Sequence, residues 1–267
     1  MSDSRASPVA DIYDALRAQG GGWGAEVGRP QGPGWIAGDD FRDATAGRFN
    51  VLLERIGARS QTDDRRTIAG SFALHFGWTS AMAIAPFLRF RCVPNVSLGN
   101  IALRFNRSAY VDGTAVFEDH GTVVAGDARA RHPSMSTVAD DHALLRALRA
   151  ALVEQSAPVV KAVHGWSGFA ERATWGVLTS LWASHFISLW QPYDDQRELS
   201  RVLREFFAGS DLAAEMRPDV TVVASGGTVH LHHRRSSCCR FYLVPGGGLC
   251  ASCPLAADAI PRSDRVR

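Results

Sequence analysis

Four of the chain's five cysteines fall within sixteen residues near its end: the vicinal pair Cys238-Cys239, a ten-residue spacer, and the C-x-x-C of Cys250 and Cys253. The spacer holds Pro245 and the run Gly246-Gly247-Gly248. Such residues let the backbone reverse and bring the two cysteine pairs together. Thiolates gathered this way select zinc, copper(I) or an iron–sulfur cluster. Whatever the rest of the chain does, it must deliver this segment as a closed, metal-binding loop.

The remaining composition is that of an ordinary globular protein. Of 267 residues, 46% are hydrophobic and 21% charged, enough to bury a substantial core without covalent staples. Clustering at one end does not resemble a secreted disulfide framework. The start, Met1-Ser2-Asp3-Ser4-Arg5, lacks the apolar core of a signal peptide. The cytoplasm is therefore the expected compartment, and its reducing conditions suit a thiolate site. A formal charge of +2 gives no ground for a nucleic-acid partner. Lys161 is the single lysine among 29 basic residues, a bias that reads as composition and not as phosphate binding.

Residues 8–18 read as a short helix, and 40–58 and 64–88 as longer ones. The charge-free runs Thr67–Leu88 and Ala173–Tyr193 are long enough to span a membrane. Gly70, His75, Gly77 and Pro86 interrupt the first, and Thr179, Ser180, Ser184, His185 and Ser188 the second, so both are expected as buried core helices. Cys92, in an apolar context, is expected as a packed thiol. From Val96 to Asp127 strand formers dominate, and Asp112-Gly113 between two apolar runs is a hairpin signal. Helices resume at about 138–156, with Asp140 and Asp141 in the first turn, then at Glu171–Trp190 and Asp195–Phe207. After Pro218, Val220–Val223, the turn Ser225-Gly226-Gly227 and Thr228–His232 predict a second hairpin that leads to Cys238. The expected class is α+β: a mostly helical body around a small antiparallel sheet over residues 1–217, then a C-terminal β-hairpin and metal-binding subdomain over 218–267.

Other catalytic chemistry is missing. There is no G-x-x-x-x-G-K-[ST] and no H-E-x-x-H. Gly165-Trp166-Ser167-Gly168-Phe169 lacks the last glycine of a nucleophile elbow. Gly32-Pro33-Gly34-Trp35-Ile36-Ala37 matches G-x-G-x-x-A, but holds a proline and follows no strand. His232 and His233, adjacent on a strand, point to opposite faces, one exposed and one half-buried. No catalytic side chain beyond the metal centre is expected.

A Cys₄ zinc site usually pairs two C-x₂₋₄-C knuckles, and adjacent cysteines make a strained chelate on one tetrahedral ion. A binuclear cluster spreads its ligands further. Zinc and a pair of redox thiols both stay open on these residues alone. Between Asp219 and Asp258 there is no acidic residue, while Arg234, Arg235, Arg240 and three histidines flank the cysteines. Cations and backbone N–H donors near an anionic cluster stabilise its reduced form. Histidines beside it suggest electron uptake coupled to protonation near neutral pH.

The arrangement Arg235-Ser236-Ser237-Cys238-Cys239, ten residues, then Cys250-Ala251-Ser252-Cys253 resembles the C-terminal [2Fe–2S] motif of the FhuF-like ferric siderophore reductases. The Arg172-Ala173-Thr174-Trp175-Gly176 segment before a long apolar helix is similar in outline. This resemblance implies a [2Fe–2S] cluster on Cys238, Cys239, Cys250 and Cys253, with Arg235 and Arg240 beside it. It implies cytoplasmic reduction of an imported ferric siderophore, sometimes at the inner face of the cell membrane, with release of iron(II). The basic collar suits an acidic ferredoxin-type electron donor. A groove between the helical body and the C-terminal subdomain is the natural place for a bulky siderophore, with Trp23, Trp35, Arg104 and Arg107 as candidate contacts. The competing expectation is a zinc-stabilised siderophore-binding or interaction protein without redox activity.

Overall fold

The computed structural model describes residues 7–20, 24–190, 195–225 and 228–256 and is α+β. In chain order its helices are α1 (Pro8–Ala18), α2 (Gly47–Arg59), α3 (Arg65–Gly77), α4 (Ala81–Phe90), α5 (Asp141–Ser167), α6 (Glu171–Leu189), α7 (Gln196–Phe206) and the single turn α8 (Leu212–Glu215). The strands are β1 (Glu26–Val27), β2 (Trp35–Ala37), β3 (Cys92–Pro94), β4 (Ile101–Phe105), β5 (Val111–Val116), β6 (Gly121–Val124), β7 (Met135–Val138), β8 (Asp219–Ser225) and β9 (Thr228–Arg234). The chain forms two units, one from Met1–Asp43 with Thr79–Val159, the other from Ala44–Trp78 with Val160–Arg267. This differs from the boundary expected at 217/218. The cysteine segment packs on helices α3 and α6, so contacts distant in sequence draw it into their unit.

In the first unit, α1 begins at Ser7, whose hydroxyl accepts from the Ala10 N–H at 3.1 Å, with Pro8 in the first turn. Val9, Ile12, Tyr13 and Leu16 make its buried stripe, and the Tyr13 hydroxyl donates to the Met82 carbonyl of α4 at 2.8 Å. The expected antiparallel sheet is instead two small mixed sheets. One has the order β1-β5-β4-β2, with β1 added in parallel; the other is β3-β6-β7, with β6 and β7 parallel. Cys92 is fully buried in β3. Asp112-Gly113 is not a turn: both residues lie inside β5, where Gly113 pairs with Arg104. Asn106 makes the turn instead. Its side-chain oxygen accepts from the N–H groups of Ser108 and Tyr110 at 2.9 and 3.1 Å, and Ala109 takes the left-handed conformation at φ +57°.

In the second unit, α3 meets α6 at Gly77, where an added Cβ would come within 2.3 Å of Leu181. Trp175, Val177, Leu178, Leu181, Trp182, Phe186 and Leu189 of α6 are all buried, as its apolar faces require. The stretch expected as one helix over 64–88 is α3, a 3₁₀ turn at Trp78–Ser80, and α4. The run Arg65–Phe90 is long and apolar enough to cross a membrane, and 83% of its most apolar window is buried. α5 continues past the expected 156 to Ser167, whose hydroxyl donates back to the Val163 carbonyl at 2.6 Å; the Gly-Trp-Ser sequence is thus a helix end. β8 and β9 form the expected hairpin, pairing Asp219 with Arg234. Gly226 and Gly227 of its turn lie outside the described residues.

Candidate metal centre

Strand β9 ends at Arg234 and hands the chain to the cysteines through two arginine clamps. Arg234 donates to the carbonyls of Pro254 and Ala256 at 2.7 and 3.1 Å. The Arg235 backbone N–H donates to the Ser252 carbonyl at 2.9 Å, and its Nε to the Ser252 hydroxyl at 3.1 Å. The C-x-x-C is thereby tied back to the strand that precedes the vicinal pair. Between them the spacer reverses through a turn closed by the Gly247 N–H on the Val244 carbonyl at 2.9 Å.

Helices α3 and α6 supply the floor. The Ser237 hydroxyl donates to the Ala173 carbonyl and the Ser236 hydroxyl to the Met216 carbonyl, both at 2.6 Å. A Cβ on Gly176 would stand 2.5 Å from the Ser237 hydroxyl, and one on Gly70 would stand 2.3 Å from the Cys239 carbonyl oxygen. Two helices thus lack a side chain where the loop lies against them. Cys239 is buried in a small apolar cluster with Ala73 and Val177, against which Leu74 and Cys250 pack.

Arg240 anchors the loop from the other side. It sits at φ +64°, a left-handed conformation that is uncommon for a side chain of this size. Its backbone N–H donates to Cys238 Sγ at 3.3 Å. Its guanidinium reaches the Asp64 carboxylate at 2.8 Å and the Thr67 hydroxyl at 3.2 Å. Asp64 is the N-cap of α3, so the loop is bolted to the start of the helix whose Gly70 receives it. Sequence reasoning missed Asp64, Thr67, Gly70, Ser236, Ser237 and Ser252. Asp64-x-x-Thr67 is a helix-start signal, and Gly176 ends the Arg172–Gly176 segment already singled out.

All four cysteines are free thiols, Cys239 and Cys253 buried and Cys238 and Cys250 half-buried. Cys239 Sγ and Cys250 Sγ are 3.7 Å apart. Burial pushes the Cys250 thiol up to about 11, against the opposing charge of Arg235, and burial also raises Cys238. Metal binding at these sulfurs therefore releases protons. Among the described residues no three His, Cys, Asp or Glu side chains gather around one point as a single ion needs. Four thiolates within sixteen residues are a donor set of the kind that iron–sulfur clusters take. The Arg235 Nη1 is buried with no hydrogen-bond partner. Its charge, next to Cys250, suits an anionic cluster.

Beside Cys250 opens a cavity of about 310 Å³, lined by Ser180 and Ser184 of α6, His232 and His233 of β9, Arg235 and Ser252 among others. Both histidines are half-buried. Burial pushes His233 down to about 4, helped by Arg235 and His232, and burial also lowers His232. Both are thereby shifted toward the neutral imidazole. The arginine collar also turns inward, since Arg234, Arg235 and Arg240 all make the internal contacts above. The segment exposes large apolar side chains at Phe241, Tyr242, Leu243, Leu249 and Leu255. Trp35, Arg104 and Arg107 belong to the first unit, where Arg104 lies over the Trp35 ring at 5.3 Å and pairs with Asp112 at 2.9 Å. Trp23 lies outside the described residues.

Residues 235–255 match the family model of the FhuF 2Fe-2S C-terminal domain. Cys238, Cys239, Cys250 and Cys253 fit that domain's motif, and the cofactor it names is a [2Fe–2S] cluster. No curated protein matches the chain.

Proposed function

With an FhuF-type [2Fe–2S] domain at residues 235–255 as premise, we propose that the chain is a cytoplasmic one-electron reductase of ferric siderophores. The observation that carries this reading is the cavity that opens directly on Cys250, a residue of the cluster motif. When bound, the cluster supplies one electron at a time. The substrate's iron(III) is hard and held tightly by anionic oxygen ligands, whereas iron(II) is bound far more weakly, so reduction is release. The chain itself needs only to hold the complex close. Ser180, Ser184, Ser252 and the neutral His232 and His233 present hydroxyls and imidazoles to an oxygen-rich surface, and Arg235 adds positive charge. A volume of about 310 Å³ receives one arm of such a complex and leaves its bulk outside. An electron donor of ferredoxin type restores the reduced state. Its contact falls to the exposed apolar side chains of residues 241–255 in place of an arginine collar.

The test is ferric-siderophore reduction by the purified chain and by Cys253→Ser, with iron and acid-labile sulfide measured on both. The expected result is about two irons and two sulfides per chain and loss of cluster and activity together in Cys253→Ser. Reduction that persists unchanged after the cluster is lost contradicts the reading.

A further inference from the structure

We propose that Cys239 and Cys250 bind one iron of the centre and that Cys238 and Cys253 bind the other. The inference rests on the [2Fe–2S] assignment and goes beyond it by dividing the ligands between the two irons. Two thiolates on one tetrahedral metal, with metal–sulfur bonds of about 2.3 Å, stand about 3.8 Å apart. Thiolates on opposite irons are separated further by the width of the cluster. The Cys239 and Cys250 sulfurs are 3.7 Å apart, already at the spacing of a shared ion. Both side chains also belong to the same apolar cluster with Ala73 and Val177.

Cys238 faces elsewhere. Its sulfur accepts from the Arg240 N–H at 3.3 Å, and with Cys239 and Cys250 already paired, Cys253 is the ligand left to share its iron. The backbone enforces this divergence of neighbours. Arg240 is locked left-handed by its anchor on Asp64 and Thr67, and the Cys239 carbonyl lies against Gly70. Turning Cys238 and Cys239 onto one ion would break one of these contacts. At the other end, the Cys253 N–H donates to the Cys250 carbonyl at 2.9 Å, closing the C-x-x-C into a tight turn.

Each iron is then held by one sulfur from each end of the ten-residue spacer, so neither iron has both its ligands until the loop is closed. The iron on Cys239 and Cys250 is also the one next to the cavity, because Cys250 lines it.

Paramagnetic NMR of the holoprotein, with ¹³Cβ-labelled cysteine, tests the division. One electron from dithionite converts one ferric ion of the cluster to ferrous, and antiferromagnetic coupling then gives the ligands of the two irons opposite temperature dependence. Signals are assigned by pairwise isotope labelling of each cysteine with its sequence neighbour in the unsubstituted chain, so no variant need fold. The expected result is one sign for Cys239 and Cys250 and the opposite sign for Cys238 and Cys253. A division into Cys238 with Cys239 and Cys250 with Cys253, or into Cys238 with Cys250 and Cys239 with Cys253, overturns the proposal. A preparation that contains iron but gives no hyperfine-shifted signals refutes the cluster itself, a failure distinct from a wrong pairing.

Discussion

Arg240 follows a cysteine pair and was expected to lend its charge to the cluster, yet its guanidinium is bound to Asp64 and Thr67. It acts through its backbone, as a donor to Cys238 and as a left-handed hinge. The Thr67 hydroxyl is the main reason the Asp64 carboxyl lies below its ordinary range, with the Arg240 and Arg66 hydrogen bonds adding to it. A carboxyl whose pKa is depressed on folding stabilises the folded state above its unfolded pKa of about 3.9, and that stability is lost as pH falls through the lower folded value. Asp64→Asn is therefore expected to destabilise the protein at pH 7, and the gap from the parent to close in strong acid. The Arg240 and Asp64 side chains are 31% and 41% exposed, so solvent screening holds the gap to about 1 kcal/mol or less. Denaturant titrations at a series of pH values measure it, and a gap constant with pH contradicts this account of Asp64. The cysteine spacing was legible in the sequence because a ten-residue spacer is a covalent fact. The fate of the arginines was not, because a guanidinium on a long stem chooses its partner only when the fold brings one near.

Helices α3 and α6 matter to the site through what they lack. Intrinsic propensity favours alanine over glycine inside a helix by about 1 kcal/mol, so Gly70→Ala and Gly176→Ala would stabilise isolated helices. The packing predicts the opposite. A Cβ at position 70 meets the Cys239 carbonyl oxygen at 2.3 Å, backbone that carries a ligand, while one at 176 meets the Ser237 hydroxyl at 2.5 Å, which can rotate away. Gly70→Ala is expected to cost about 1–3 kcal/mol and most of the bound iron, Gly176→Ala less of both. Thermal unfolding and iron content check the order; a stabilised Gly70→Ala that retains its iron contradicts it. In the sequence Gly70 reads only as an interruption of an apolar run. Its partner, Cys239, is far along the chain, and no local pattern encodes that contact. Asp112-Gly113 failed as a turn for a related reason. The Asn106 side chain, which accepts two backbone N–H groups, made a turn first, and the chain was already in strand β5 by residue 112.

For the whole molecule, the α+β class and most helix positions follow from hydrophobic periodicity, down to α1 at Pro8–Ala18. The grouping into units does not. The cysteine segment shares its unit with residues 44–78, so the metal centre depends on a helix from early in the chain. That unit also contains the cavity on Cys250, so one body holds the electron source and the proposed substrate contact. Anaerobic mixing of dithionite-reduced holoprotein, freed of excess reductant, with a ferric hydroxamate or catecholate complex tests that coupling most directly. The visible spectrum follows the cluster while an iron(II)-specific chelator follows release. The account predicts one iron(II) released per cluster reoxidised, the two appearing at one rate. Iron(II) that appears while the cluster stays reduced, or a cluster that the complex never reoxidises, contradicts it.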